Sequence, residues 1–404
     1  MGESIIRLER LRKEFGDLAA VEGLDLEVGE GEFLCFLGPS GCGKTTTLRM
    51  IAGLETPTSG EIYLRGERIT QLPPQRRQVG FMFQNYALFW HMTVYDNLAF
   101  GLRVRGADPA TLDRKVREVA AGLELEPLLG VRAARLDLSA MQRVAMARVL
   151  AIEPEVLLLD EPLNNFRPGL REIMRGELKR SQRQLRRTMV YVTHDQEEAM
   201  TLGDRILVMN AGRAEQLEAP AAIYSHPANV FVAGFIGRPP MNFLNVEYRR
   251  EGERAVLERA GLRFDVTPLR EVIERGTDGR RLVLGIRPQH LRLAGEAGET
   301  AAGGGHGAVP GQPPEAHDRG SEAPAGAMAA PSAFTRGPAP TLTATVDLVQ
   351  PLARKMIVDL RADGESLKMV LPSGARAARG DALRVSFPLE RLHLFSAESG
   401  EALR

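Results

Sequence analysis

The sequence predicts an α/β fold built on a parallel sheet, followed by a smaller all-β domain. Three observations predict it. Residues 1–235 alternate short apolar runs with helix-like stretches, the pattern of strands joined by crossover helices. A Gly-rich turn ending in Lys44-Thr45 stands between a strand-like and a helix-like segment. From residue 236 onward the helical periodicity gives way to short strand-like segments separated by turn residues, as in a small β-barrel.

In chain order, EFLCFLG (32–38) reads as a buried strand and 44–53 as the helix after it. Helix-like stretches at 110–125 and 170–186 flank a second buried strand, VLLLD (156–160). TMVYVTH (188–194) and RILVMN (205–210) read as two more strands. In the second domain, RLVLGIRP (281–288), TLTATVDLV (341–349), KMIVDLRA (355–362) and ALRVSFP (382–388) are strand-like. The boundary is expected at 235/236. Of the 46 residues from 295 to 340, 29 are Gly, Ala or Pro, too few apolar side chains to offset ordering entropy, so this stretch is expected to be a disordered insertion in the β domain.

Composition narrows the function. Lys+Arg and Asp+Glu both number 52, so no basic excess favours nucleic acid. Cys35 and Cys42 are too few for a disulfide framework and fit a reducing setting. The first residues, MGESIIRLERLRKEFG, lack the apolar stretch of a signal peptide, and no run of about 18 apolar residues is present to span a bilayer. Any membrane role is expected to come through a partner.

Residues 38–45, Gly38-Pro39-Ser40-Gly41-Cys42-Gly43-Lys44-Thr45, fit G-x-x-x-x-G-K-[ST], and Thr46 follows. Glycines let the backbone wrap a polyphosphate, and the loop amides and helix N-terminus favour the anion. Lys44 is placed to reach the β- and γ-phosphates, and the Thr45 hydroxyl to ligate Mg²⁺. The strand at 156–160 ends in two carboxylates: Asp160 for the Mg²⁺ shell and Glu161 as general base toward a water. Gln84 follows an apolar strand and is a candidate for Mg²⁺ and the water; His194 ends another strand and is a candidate for the γ-phosphate; Phe15 is a candidate to stack on adenine. Each also has a plain structural reading: Gln84 as a helix cap, His194 as a satisfied strand-end histidine, Phe15 as a core residue.

In this order the motifs resemble the ATPase subunit of ATP-binding-cassette transporters, and more narrowly the importer type for sugars or glycerol-3-phosphate. The carriers are Phe15, GPSGCGKTT (38–46), FMFQNYALFWHMTVYDNLAFGL (81–102), QRVAMARVLAIEPEVLLLDEPL (142–163) and VTHDQEEAMTLGDRI (192–206). HPANVFVAGFIGRPPMNF (226–243), GIRPQHL (285–291) and VDLVQPLA (346–353) carry the sugar-importer branch. The resemblance implies a P-loop NTPase cassette with a helical subdomain at about 85–155, and a C-terminal domain of oligonucleotide-binding-like fold used for dimer contacts and regulation. It implies ATP and Mg²⁺ as ligands and a head-to-tail dimer, homomeric or with another cassette subunit. It also implies transmembrane permease subunits, an extracytoplasmic solute-binding protein in the complex, and a peripheral place on the cytoplasmic face of the cell membrane. The region 85–102 would relay nucleotide state to the permease.

The sequence departs from the family at two loops. With QRVA fixed at 142–145, the family's Leu-Ser-Gly-Gly-Gln signature falls on Leu136-Asp137-Leu138-Ser139-Ala140. A gapped alternative keeps Leu138-Ser139 as Leu-Ser but leaves two residues missing before QRVA, shifting the register of the following helix. Asp137 would face the γ-phosphate as a like charge, roughly 4 kcal/mol per pair at about 4 Å and an effective dielectric of 20. The family's next loop, Ser-Ala-Leu-Asp or a close variant, reads Asn164-Asn165-Phe166-Arg167, reversing a charge at Arg167. Asp137 and Arg167 are opposite in sign and both belong to the expected dimer face, so they are candidates to pair. Trp90 stands where the family usually has proline. These changes raise an alternative: a subunit that binds nucleotide but hydrolyses poorly, acting as a structural or regulatory partner in a heterodimer.

Overall fold

The computed structural model describes residues 4–83, 86–164, 166–185, 187–259, 262–277, 279–294, 339–362 and 364–403. The chain divides into two compact units, Met1–Ala228 and Asn229–Arg404.

The first unit contains β1 (Ser4–Phe15), β2 (Leu18–Gly29), β3 (Phe33–Leu37), α1 (Lys44–Ala52), β4 (Ser59–Leu64), β5 (Glu67–Arg68) and β6 (Val79–Met82). Next come α2 (Val94–Val104), α3 (Pro109–Gly122), α4 (Leu138–Ala151), β7 (Val156–Asp160) and α5 (Pro168–Leu185). It closes with β8 (Thr188–Thr193), α6 (Gln196–Leu202), β9 (Arg205–Asn210), β10 (Arg213–Glu218) and α7 (Pro220–Ser225). The main sheet runs β10-β9-β3-β8-β7-β6, parallel except for β10. Every residue of β3, β7 and β8 is buried, which is why these strands read as unbroken apolar runs rather than alternations.

A second, antiparallel sheet, β2-β1-β4-β5, is not anticipated from the sequence. Its strands alternate apolar and charged residues, and bulges in the β1–β2 pairing interrupt the period of two. Ile6, Leu8, Val21 and Leu24 from this sheet share one core with Leu48 of α1 and Leu158 and Val190 of the main sheet. Arg77, almost wholly buried, holds α1 from its carboxyl end: its guanidinium donates to the carbonyls of Met50 (2.6 Å) and Ile51 (3.0 Å). A cation at that pole of a helix is favourable.

The expected helical region forms as α2, α3 and α4, packed on one another. Thr93, Asp108 and Asp137 each cap one of them through a side-chain oxygen.

The second unit contains α8 (Val230–Phe235), β11 (Asn242–Glu251), β12 (Arg254–Arg259), β13 (Leu262–Asp265), α9 (Arg270–Gly276), β14 (Arg281–Ile286) and β15 (Arg292–Leu293). It continues with β16 (Thr341–Pro351), β17 (Lys355–Ala362), β18 (Glu365–Pro372), β19 (Ala382–Ser386) and β20 (Leu392–Ser396). Two antiparallel five-stranded sheets, β13-β12-β11-β14-β20 and β15-β19-β16-β17-β18, enclose one core around Leu244, Phe264, Leu284, Val346, Val358 and Phe387. The division lies seven residues before the 235/236 boundary expected from sequence. The reason is α8: Val230 donates to the Gly400 carbonyl, and Ala233 packs with Met241 and Phe395. The Gly/Ala/Pro-rich stretch lies outside the described residues except for its last two. The chain leaves after β15 and returns in β16, the two strands that flank β19.

Candidate functional site

The phosphate-loop residues and the two carboxylates meet because β3, β7 and β8 are neighbours and parallel, so their carboxyl ends open on the same side. In open α/β sheets that side receives ligands. β3 delivers Gly38, β7 delivers Asp160 and Glu161, and β8 delivers His194.

Gly38 and Gly43 are forced by space. A Cβ on Gly38 would drive into the Met209 carbonyl, and one on Gly43 (φ +102°) into the Ala20 carbonyl. Gly43 leads α1 without a side-chain cap, and the first turn of α1 carries no acidic residue. The amides at this end therefore point to an anion rather than to the chain's own carboxylates. Pro39, Ser40 and Gly41 form the outer part of the loop, and Cys42 is buried beneath it. The Lys44 ammonium is buried and bonded to the carbonyls of Gly38 (2.8 Å) and Pro39 (2.7 Å). Thr46 follows in the first turn of α1.

The Thr45 hydroxyl donates to Asp160 Oδ1 at 2.8 Å. Asp160 is 1 % exposed, and burial pushes its carboxyl above the usual range, with the Thr45 hydrogen bond pulling the other way and the Glu161 charge adding to the rise. A desolvated carboxylate beside a hydroxyl and a second carboxylate fits a divalent cation. Among the described residues no group of three His, Cys, Asp or Glu side chains could hold a metal alone. Magnesium, which is commonly held by one or two protein groups together with substrate phosphates and water, suits a Thr45–Asp160 pair.

Glu161 takes a left-handed backbone (φ 49°) just past β7, a conformation uncommon for a residue with a side chain. Its amide donates to the Val192 carbonyl at 3.0 Å, tying it to β8. One carboxylate oxygen, Oε1, faces His194 Nδ1 at 3.2 Å, and the other, Oε2, accepts from the Asn164 side-chain amide. His194 is more than half exposed just past the end of β8. Phe15 is 49 % exposed at the end of β1, with the Lys13 ammonium 4.8 Å from its ring centre, so it is not a core residue. Gln84 and Asn165 lie outside the described residues.

The signature segment forms the start of α4. Asp137 is its cap: the carboxylate accepts from the Ala140 amide at 2.7 Å. Leu138 is 53 % exposed, Ser139 is half-buried and Ala140 is buried. Among the described residues Asp137 and Arg167 form no ion pair with one another: the Asp137 carboxylate faces its own helix, and Arg167 is exposed at the head of α5. Phe166 is buried. Trp90 is exposed, its carbonyl accepting from the Ala134 amide.

Sequence reasoning marked Asn164 as a departure but not as a partner of Glu161, and it missed Arg171, Tyr191, Thr193 and Glu198 altogether. The Arg171 guanidinium donates to the Asn164 carbonyl (3.1 Å) and to Asp195 Oδ2 (3.5 Å). Its Nε stands 3.7 Å from Oε1 of Glu198, which is buried and accepts from the hydroxyls of Tyr191 and Thr193 at 2.8 Å each. The charges were visible in the sequence, but their meeting depends on how α5 and α6 pack.

The family description "ABC transporter" matches residues 21–164, and "MalK OB fold domain" matches residues 237–291. The chain is 41 % identical to the trehalose/maltose import ATP-binding protein MalK of Thermococcus litoralis, covering 98 % of this chain and 99 % of the relative. It is 38 % identical to the sn-glycerol-3-phosphate import ATP-binding protein UgpC 1 of Rhizobium johnstonii (98 % and 96 % covered). It is 36 % identical to the sulfoquinovosyl glycerol transport ATP-binding protein SmoE of Agrobacterium fabrum (98 % and 99 %). Among solved structures it resembles the post-hydrolysis dimer of the cassette MJ0796 with ADP and Pi, with a TM-score of 0.50 and 30 % identity over 53 % of this chain and 98 % of that one.

Proposed function

The chain belongs to the ATP-binding-cassette transporter family, in the branch with a MalK-type OB domain, and we propose that the Gly38–Thr46 loop, Asp160, Glu161 and His194 hydrolyse ATP to drive import of a sugar or glycerol-3-phosphate. The protein is an ATP-binding subunit that energises an importer, and an ATPase. The relatives favour this over the alternative of a subunit that only binds nucleotide.

The observation that carries the assignment of residues is the convergence of Thr45–Asp160 and Glu161–His194 at the ends of three adjacent parallel strands. The loop amides and Lys44 bind the phosphates, and Phe15 gives adenine an exposed ring. Mg²⁺, held through Thr45 and Asp160, would neutralise charge on the β- and γ-phosphates. Glu161 takes a proton from the attacking water. With Glu161 ionised, Nδ1 of His194 must carry the ring proton, because a bare nitrogen would face a bare carboxylate. His194 then donates to Glu161 and keeps it aimed. Gln84 retains its proposed place beside the water and Mg²⁺.

The chain is proposed to act as a dimer, homomeric or with a second cassette subunit, on the cytoplasmic face of the membrane beneath permease subunits fed by a solute-binding protein. No helix among the described residues is long and apolar enough to cross a membrane. The test is reconstitution with its permeases in vesicles, reading ATP-dependent uptake of labelled maltose, trehalose and glycerol-3-phosphate. Uptake of one of them that disappears with Glu161→Gln supports the reading. Uptake that persists with Glu161→Gln contradicts it.

A further inference from the structure

Two side chains outside the nucleotide motifs connect the carboxylate at the end of β7 to the turn after β8. Glu161 is gripped at both oxygens, by His194 on one side and the Asn164 amide on the other. Asn164 stands in an irregular turn, so its side chain is only as well aimed as its backbone. That backbone is held by Arg171, which reaches back from the first turns of α5 to the Asn164 carbonyl at 3.1 Å. The same guanidinium faces Asp195, the residue after His194, and Glu198 on α6.

We propose that Arg171 is a positioning residue for hydrolysis, clamping the Asn164 turn to the His194 turn so that Asn164 and His194 hold Glu161 from two sides. The inference rests on the reading of Glu161 as general base.

The geometry argues against Arg171 serving only to neutralise the buried Glu198. A guanidinium devoted to a carboxylate pairs with it through two parallel hydrogen bonds. Here Nε of Arg171 and Oε1 of Glu198 are both buried, face each other at 3.7 Å, and neither makes a hydrogen bond among the described residues. Glu198 instead takes its hydrogen bonds from Tyr191 and Thr193, while Nη2 of Arg171 goes to the Asn164 carbonyl. The fork is drawn away from its nearest buried anion and toward the turn that carries the Glu161 partner.

The test is steady-state ATP hydrolysis by the full chain in its assembled transporter, with nucleotide binding recorded on the same samples. Asn164→Ala removes the amide without touching the buried charges. Arg171→Met is made together with Glu198→Gln, so that no buried carboxylate is left uncompensated and the Tyr191 and Thr193 hydrogen bonds can persist. The expected result is a kcat about tenfold lower for each, with KM for ATP and nucleotide affinity within about twofold of the parent. In a Glu161→Gln background neither change should lower residual turnover further. Partial recovery of kcat is expected when Lys replaces Arg171 alone. Parent-like kcat in both variants, with Glu161→Gln inactive, would overturn the clamp. So would equal losses in kcat and affinity, the mark of a structural role. Full turnover by Glu161→Gln itself would instead remove the general-base reading.

Discussion

Lys44, Thr45, Asp160 and Glu161 could be singled out in the sequence because a Gly-rich turn ending in Lys-Thr and an apolar strand ending in two acids are local patterns. The Asn164 amide and the Arg171 fork could not, since their partners are set by packing between α5 and α6. Lys44→Ala removes the only ammonium in the phosphate loop, and nucleotide affinity measured by titration calorimetry should fall by at least tenfold. Cys35 makes a different prediction. It is fully buried in β3, and burial pushes its thiol well above the usual range. A thiol reagent should therefore leave Cys35 unlabelled in the native protein and label it promptly in denaturant, as mass spectrometry of the two samples would show.

Among the elements, α4 shows a departure being absorbed locally. Asp137 reads from sequence as a like charge toward a phosphate, yet it also satisfies the helix it precedes, and the ungapped numbering puts it at the cap of an uninterrupted α4. Asp137→Ala should destabilise the first unit by about 1 kcal/mol in a urea titration, whereas Asp137→Ser, which preserves a capping oxygen, should change stability by only a few tenths. The buried strands were legible for a simple reason: β3, β7 and β8 are covered on both faces, so composition alone betrays them. The antiparallel sheet of β1, β2, β4 and β5 was not, because bulges break its alternation. Leu158→Ala, at the centre of β7 where both sheets and α1 share a core, should cost about 2–5 kcal/mol, also read by urea titration.

The whole molecule is two units, each with its own core, and the sequence separated them by the change from helical to strand-like periodicity. The two units divide seven residues before the 235/236 boundary read from the sequence, because the contacts of the short helix α8 run forward to Met241, Phe395 and Gly400. The residues proposed for nucleotide all lie in the first unit. Glu161, aimed by its neighbours at the end of β7, is proposed to make this chain an ATPase despite its altered signature and following loop. The most direct measurement is Mg²⁺-dependent ATP hydrolysis by the purified protein beside Glu161→Gln, with ATP binding recorded on both. Turnover should stand at least about 10²-fold above the variant at similar ATP affinity. Equal, background-level turnover in both, with tight binding retained, would contradict this role of Glu161.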